Sequence, residues 1–199
     1  MEELVKQAGR MKPDLINFYV DETGKSGSSP SFIVCLLCLE VSQPYEEWLL
    51  DLEQNSGKKH RKWRKSSHPA RMEYVQTILE SKDFVGKIFF IRNNPQQNYD
   101  TATIQSICKV ILTCAPKTRP KIFVDALSAS KVTEYSNSLK RQGVRFKKIR
   151  GVKKEDSSAL MRLPDAIAGF LMDALFNSDK DMQAIYAKAI RRGTLVELV

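Results

Sequence analysis

Short apolar runs alternate with amphipathic stretches along this chain, and the two periods predict its elements. LINFYVD (15–21) is an apolar run closed by an acid, and it reads as a buried strand with Asp21 and Glu22 at its C-terminal end. TGKSGSSP (23–30) is a turn by composition. SFIVCLLCLEV (31–41) is a second strand, antiparallel to the first across that turn. Helical spacing of Tyr45, Trp48, Leu49 and Leu52 marks a helix over 43–54, and Met72, Val75, Ile78 and Leu79 mark another over 69–81. FVGKIFFI (84–91) predicts a strand, Thr101 to Thr113 a helix, KIFVDA (121–126) a strand ending in Asp125, and Lys131 to Arg141 a helix. VRFKKI (144–149) alternates apolar with basic residues, as a half-exposed edge strand would. Leu163 to Phe176, opening with Pro164-Asp165, and Asp181 to Arg192 are the last two helices. This order predicts an α/β layer fold with a mixed β-sheet flanked by helices.

Composition narrows the class. The 199 residues are 42% hydrophobic and 28% charged, which is globular and long enough to bury a core without disulfides. No repeat or low-complexity linker divides the chain, so residues 1–199 read as one domain. The longest apolar run, Phe32 to Leu39, falls far short of the ~20 residues of a membrane-spanning helix. MEELVKQAGRMKPD has no apolar stretch of a secretory leader, and four cysteines without a leader point to free thiols in the cytoplasm.

Charge sharpens the picture further. The net charge of +9 resolves into two acid-free basic runs, 58–71 and 140–154, that together carry +15 and leave the rest at −6. Such runs fit phosphate-binding surfaces better than general solubility charge. In the first, Lys58, Lys59, Arg61, Arg64 and Lys65 surround Trp63; in the second, Arg145, Lys147, Lys148 and Arg150 surround Phe146. An aromatic among cations can stack on a base. The plainer alternative is a solvated loop and a lysine-protected edge strand.

Two short motifs fail on context. Gly24-Lys25-Ser26 lacks the upstream glycine of a phosphate-binding loop, since Tyr19 stands there, and no helix follows. Cys35 and Cys38 have C-x-x-C spacing but lie in a strand, where residues three apart point to opposite faces. The acids carry more. Asp21 and Asp125 end strands, and Asp165 opens an apolar helix. In α/β sheets, ligands collect beyond the carboxyl ends of strands. A divalent ion such as Mg²⁺ or Mn²⁺ would explain three carboxylates on apolar elements. Taken singly, Asp165 reads as a first-turn helix acid and Asp125 as a turn residue.

These residues also resemble a known family. Phe18-Tyr19-Val20-Asp21-Glu22-Thr23-Gly24 is similar to the F-x-D-E-S-G opening of the DUF3800 family, with Thr for Ser. Lys62-Trp63 resembles its lysine-tryptophan element, and Ile122-Phe123-Val124-Asp125 its inner strand. Leu163-Pro164-Asp165-Ala166-Ile167-Ala168-Gly169 resembles its A-D-x-x-A-G helix, with Pro164 in place of Ala. The four elements keep the family's order across residues 15–176.

The resemblance implies a ribonuclease H-like fold, a fold that hosts nucleases, with Asp21, Asp125 and Asp165 as ligands of Mg²⁺ or Mn²⁺. Glu22 and His60 are secondary candidates; alternation puts Asp21 and Glu22 on opposite faces, and His60 stands where many members carry an acid. Lys62 would sit near the scissile phosphate. The implied activity is metal-dependent cleavage of DNA or RNA. The alternative is a degenerate module binding nucleic acid or a protein partner. A third reading gives the apolar C-terminal helices an oligomerising role.

Overall fold

The computed structural model describes residues 16–25, 28–41, 43–153 and 158–199. The leader reading of 1–14, the middle of the turn after the first strand, and Lys154 lie outside the described residues.

A six-stranded mixed sheet organises the chain. Strand β1 (Ile16–Thr23) pairs antiparallel with β2 (Phe32–Glu40), and β2 pairs antiparallel with β3 (Ile88–Asn93). On the other side of β1, β4 (Lys121–Asp125) runs parallel to it, and β5 (Lys148–Val152) runs parallel to β4. A short β6 (Leu195–Glu197) adds parallel to β3, giving the order β5-β4-β1-β2-β3-β6. β2 reads as a continuous apolar run because both of its faces are covered.

The helices are α1 (Tyr45–Asn55), α2 (His68–Glu80), α3 (Tyr99–Cys114), α4 (Ala129–Arg141), α5 (Ala159–Phe176) and α6 (Lys180–Arg192). One face of the sheet, with Tyr19, Cys35 and Leu37, packs on α1, α2, α5 and α6. The other, with Phe18, Val20 and Cys38, packs on α3 and α4. Cys35 and Cys38 thus lie on opposite faces as free thiols. Among the described residues, no helix is long and apolar enough to cross a membrane.

Three expectations move, and one strand is new. The strand expected over 84–91 begins only at Ile88, because Lys82–Phe84 is a 3₁₀ turn and Gly86 takes a left-handed φ of 70°. The strand expected over 144–149 starts at Lys148, so Arg145 and Lys147 precede it; the Val144 N–H still bonds Leu139 O at the end of α4. β6, which was not expected, is only three residues long, too short to show a strand period. The largest shift is in α5, which starts at Ala159 and not at Leu163. Ser158 caps it by accepting the Met161 N–H, and the Glu46 carboxylate accepts the Ala159 and Leu160 N–H groups. Pro164 therefore lies inside the helix, and Asp165 is not a first-turn acid.

Candidate functional site

Strand register delivers the first two carboxylates. In the parallel β1–β4 pair Tyr19 aligns with Phe123, and their rings stack 5.1 Å apart. Two residues on, alternation turns Asp21 and Asp125 to that same face. α5 packs across this face over β1 and β2 and brings Asp165. Asp21 is 6% exposed. Burial, then the charges of Glu22, Asp125 and Asp165, push its carboxyl well above the usual carboxylate range, against one Glu22 N–H that donates to it at 2.7 Å. Burial also lifts Asp125; Lys62 pulls it back and Asp165 adds to the rise. Asp165 thus adds to the rise of both other acids.

Glu22 turns to the opposite face, as alternation requires. It pairs with Lys25 and feels Asp100, whose carboxylate accepts from Lys131 Nζ at 2.5 Å and Tyr135 Oη at 2.9 Å. Glu22 Oε2 is buried without a hydrogen-bond partner. Gly24 lets the chain leave β1: its φ is 90°, and a Cβ there would stand 2.1 Å from Ser31 O. Lys25 looked like the debris of a failed phosphate loop. Its signal was its position, three residues after Glu22 beside the carboxylates.

The first basic run is less uniform than its composition. Lys62 behaves as expected: its side chain is 60% exposed and Nζ lies 3.9 Å from Asp125 Oδ2. Lys59, Arg61, Arg64 and Lys65 are also exposed. Lys58 is not a nucleic-acid ligand, being fully buried with Nζ 3.0 Å from Glu53 Oε1 and 4.6 Å above the Tyr74 ring. Burial lowers its pKa, with Glu53 opposing. Arg162 of α5 also clamps Glu53, at 2.6 and 2.9 Å. His60 approaches this same acid, with Nε2 4.0 Å from Glu53 Oε2.

Trp63 does not offer its ring to a base. It is 3% exposed, and its indole N–H donates to Asp173 Oδ2 at 2.7 Å. Its backbone N–H donates to Asp165 Oδ2 at 3.1 Å. Arg71 reaches the same Asp173 oxygen at 3.0 Å and lies 5.0 Å over the indole. Asp165, Gly169 and Asp173 recur every four residues and so share one face of α5. A Cβ on Gly169 would stand 2.4 Å from Trp63 Cγ, so the glycine makes room for the ring. This stripe docks the loop that carries Lys62. Asp173 was missed, although its i+4 and i+8 spacing from Gly169 and Asp165 was visible.

The second run splits. Lys148 and Arg150 lie on β5, with Arg150 aligned to Phe123 and its guanidinium 5.6 Å from that ring. Arg145 and Lys147 lie before the strand, toward the opposite end of the sheet from the carboxylates.

The donor set at the acids is all oxygen, which suits a hard divalent cation, and the raised pKa values of Asp21 and Asp125 are what such a cation would relieve. Among the described residues, no group of three or more His, Cys, Asp or Glu side chains is placed to hold a metal ion as it stands. Asp125 is drawn to Lys62, and Asp165 holds the Trp63 N–H.

No family model matches the chain, and no curated protein matches it. Its structure is similar to the crystal structure of ribonuclease H2 from Pyrococcus horikoshii OT3, with a TM-score of 0.57 and 12% identity, over 87% of this chain and 77% of that one. The chain thus has a ribonuclease H-like fold.

Proposed function

We propose that this protein is a metal-dependent phosphodiesterase acting on nucleic acid, and that it belongs with the DUF3800 proteins it resembles. One observation carries the reading: the parallel register of β1 and β4 turns Asp21 and Asp125 to one face at the carboxyl ends of adjacent central strands, and α5 packs across that face with Asp165. Asp21, Asp125 and Asp165 would hold the ion; Mg²⁺ or Mn²⁺, when bound, supplies Lewis-acid stabilisation of a phosphodiester and an acidified water. Lys62 is exposed beside Asp125 and can neutralise phosphate oxygens there. Burial of Asp21 keeps bulk water from weakening these charges. The Trp63 contacts with Asp165 and Asp173 hold the Lys62 loop in place. Four free cysteines support a cytoplasmic setting.

The test is cleavage of single-stranded, duplex and hybrid substrates with Mg²⁺ or Mn²⁺. RNA-containing strands come first, because the structural neighbour is a ribonuclease H2. Asp125→Asn should abolish activity, and equal activity in that variant would remove the assigned role. A second reading, a binding module without catalysis, is favoured by the engagement of Asp165 with Trp63 and by His60 lying against Glu53. Calorimetric titration separates the two, since the module would show no tight Mn²⁺ site.

A further inference from the structure

α5 covers β1 and β2; on the β4–β5 half of the same face Val152, beside Asp125, is buried in that layer too, and exposed cations begin one step further on. Along that half, register stacks side chains in steps of two residues. Asp125 aligns with Val152, Phe123 with Arg150, and Lys121 with Lys148. Lys121, Lys148 and Arg150 are exposed, and Phe123 is half-buried. Each step is about 6.6 Å, from a strand rise of ~3.3 Å per residue. That is close to the phosphate spacing of an extended single strand of nucleic acid.

At the ends of the strands opposite the carboxylates, on the α4 side of the sheet, lies a depression of about 490 Å³ lined by Arg119, Lys140, Arg145, Phe146, Gly143 and Val144. Lys140 Nζ lies 5.9 Å over the Phe146 ring. The Lys147 N–H bonds Pro120 O, so the two chains stay paired up to its rim. Stretches 115–121 and 140–150 contain no acid. Lys140 helps complement the carboxyl end of α4, but Arg119, Lys121 and Arg145 have no such duty. Among the described residues, Arg119, Lys121, Arg145, Lys148 and Arg150 form no ion pair with an acid.

We propose that the exposed cations of the β4–β5 face form the track along which a single strand of nucleic acid leads to Asp125, and that the strand rounds the end of the sheet to anchor in the Arg119–Arg145 depression. The proposal rests on the nucleic-acid reading above and adds substrate form and footprint. Strands reaching only from the carboxylates to Arg150 miss the anchor. Longer ones gain two phosphate contacts, at Arg119 and Arg145.

The experiment is fluorescence anisotropy with labelled thymidine or uridine homopolymers, short and long, and a matched duplex, in EDTA so that cleavage plays no part. The variant is Arg119→Ala/Arg145→Ala. The control is Lys180→Ala/Arg191→Ala, which removes the same charge from exposed positions on α6. For the long strand, the first variant should flatten the slope of log K against log salt by about 1.4, from ~0.7 per contact. Its affinity loss should therefore be about sevenfold greater near 50 mM than near 200 mM salt. The short strand and the control should be unaffected. An unchanged slope in the folded variant, equal losses for short and long strands, preferential duplex binding, or no binding by the wild type would each overturn the proposal. Loss of long-strand binding in a protein that cleaves nothing would leave the track standing and sink the nuclease reading. An unchanged slope alongside cleavage that needs Asp125 would do the reverse.

Discussion

Gly169→Ala tests whether the α5 stripe holds the Lys62 loop. Two effects of known size oppose each other. Replacing a mid-helix glycine by alanine favours the helix by about 1 kcal/mol. The new methyl would stand 2.4 Å from both Cγ and Cδ1 of Trp63 and 2.8 Å from its Cβ. Those atoms lie at the rigid root of a buried indole, so the ring must shift as a body. Overpacking of this kind costs about 1–3 kcal/mol. The net loss is about 0–2 kcal/mol, or up to ~8 °C in melting temperature for a chain of this size. Function should suffer more than stability, because moving Trp63 breaks its bonds to Asp165 and Asp173 and carries Lys62 away from Asp125. The assay is a double-mutant cycle with Trp63→Gly, which removes Cβ, Cγ and Cδ1 together, read by thermal unfolding and by cleavage. In a Trp48→Phe background the remaining tryptophan reports ring displacement directly. In the Trp63→Gly background none of those atoms remains, so Gly169→Ala should recover its helical gain and stabilise by about 1 kcal/mol. Equal effects of Gly169→Ala in both backgrounds, with unchanged emission and activity, would show that the glycine is not there for the tryptophan.

Asp21→Asn should end cleavage yet raise the melting temperature of the metal-free protein, since burial and three neighbouring acids disfavour the charge. Because the folded pKa is raised, the wild-type contribution is fully present below the ordinary value of 3.8 and is lost as pH rises through the folded value. Metal-free stability measured from pH 7 down toward 4 should therefore gain more in wild type than in Asp21→Asn; parallel profiles would refute it. Lys58→Met should lower stability by up to about 3–5 kcal/mol, the cost of breaking a buried ion pair, less what Arg162 still supplies to Glu53. Its salt slope in nucleic-acid binding should match wild type, whereas Lys62→Met should flatten that slope and spare stability. Ala126 follows Asp125 with a φ of 49°, a conformation that costs a non-glycine residue about 1–2 kcal/mol, so Ala126→Gly should stabilise and Ala126→Val destabilise in thermal unfolding.

The strand pattern was legible because the covered faces demand it. Asp21 could be placed on one face and Glu22 on the other from alternation alone. The position of Pro164 was misread because proline at the first helical turn is the common case. The true start depends on Ser158 and on Glu46, which is more than a hundred residues away in the chain. Local pattern carries no trace of such a partner.

The same limit explains the basic runs, and it bears on how a charge cluster should be read. Lys58 and Lys62 are four residues apart in an acid-free segment and are alike by composition. One is sealed and the other exposed, and what divides them is Glu53, five residues before Lys58 and completely buried. A buried carboxylate needs compensation, and Glu53 takes it from Lys58 and Arg162 together. Lys62 meets the opposite situation, since Asp125 is partly open and keeps the lysine at the surface. The neighbouring acid's burial, more than the cation's own sequence surroundings, decides whether a lysine stays available to a phosphate. By that criterion Lys121, Lys148 and Arg150, which pair with no acid among the described residues, are better placed to meet a polyanion than Lys58 in the denser run.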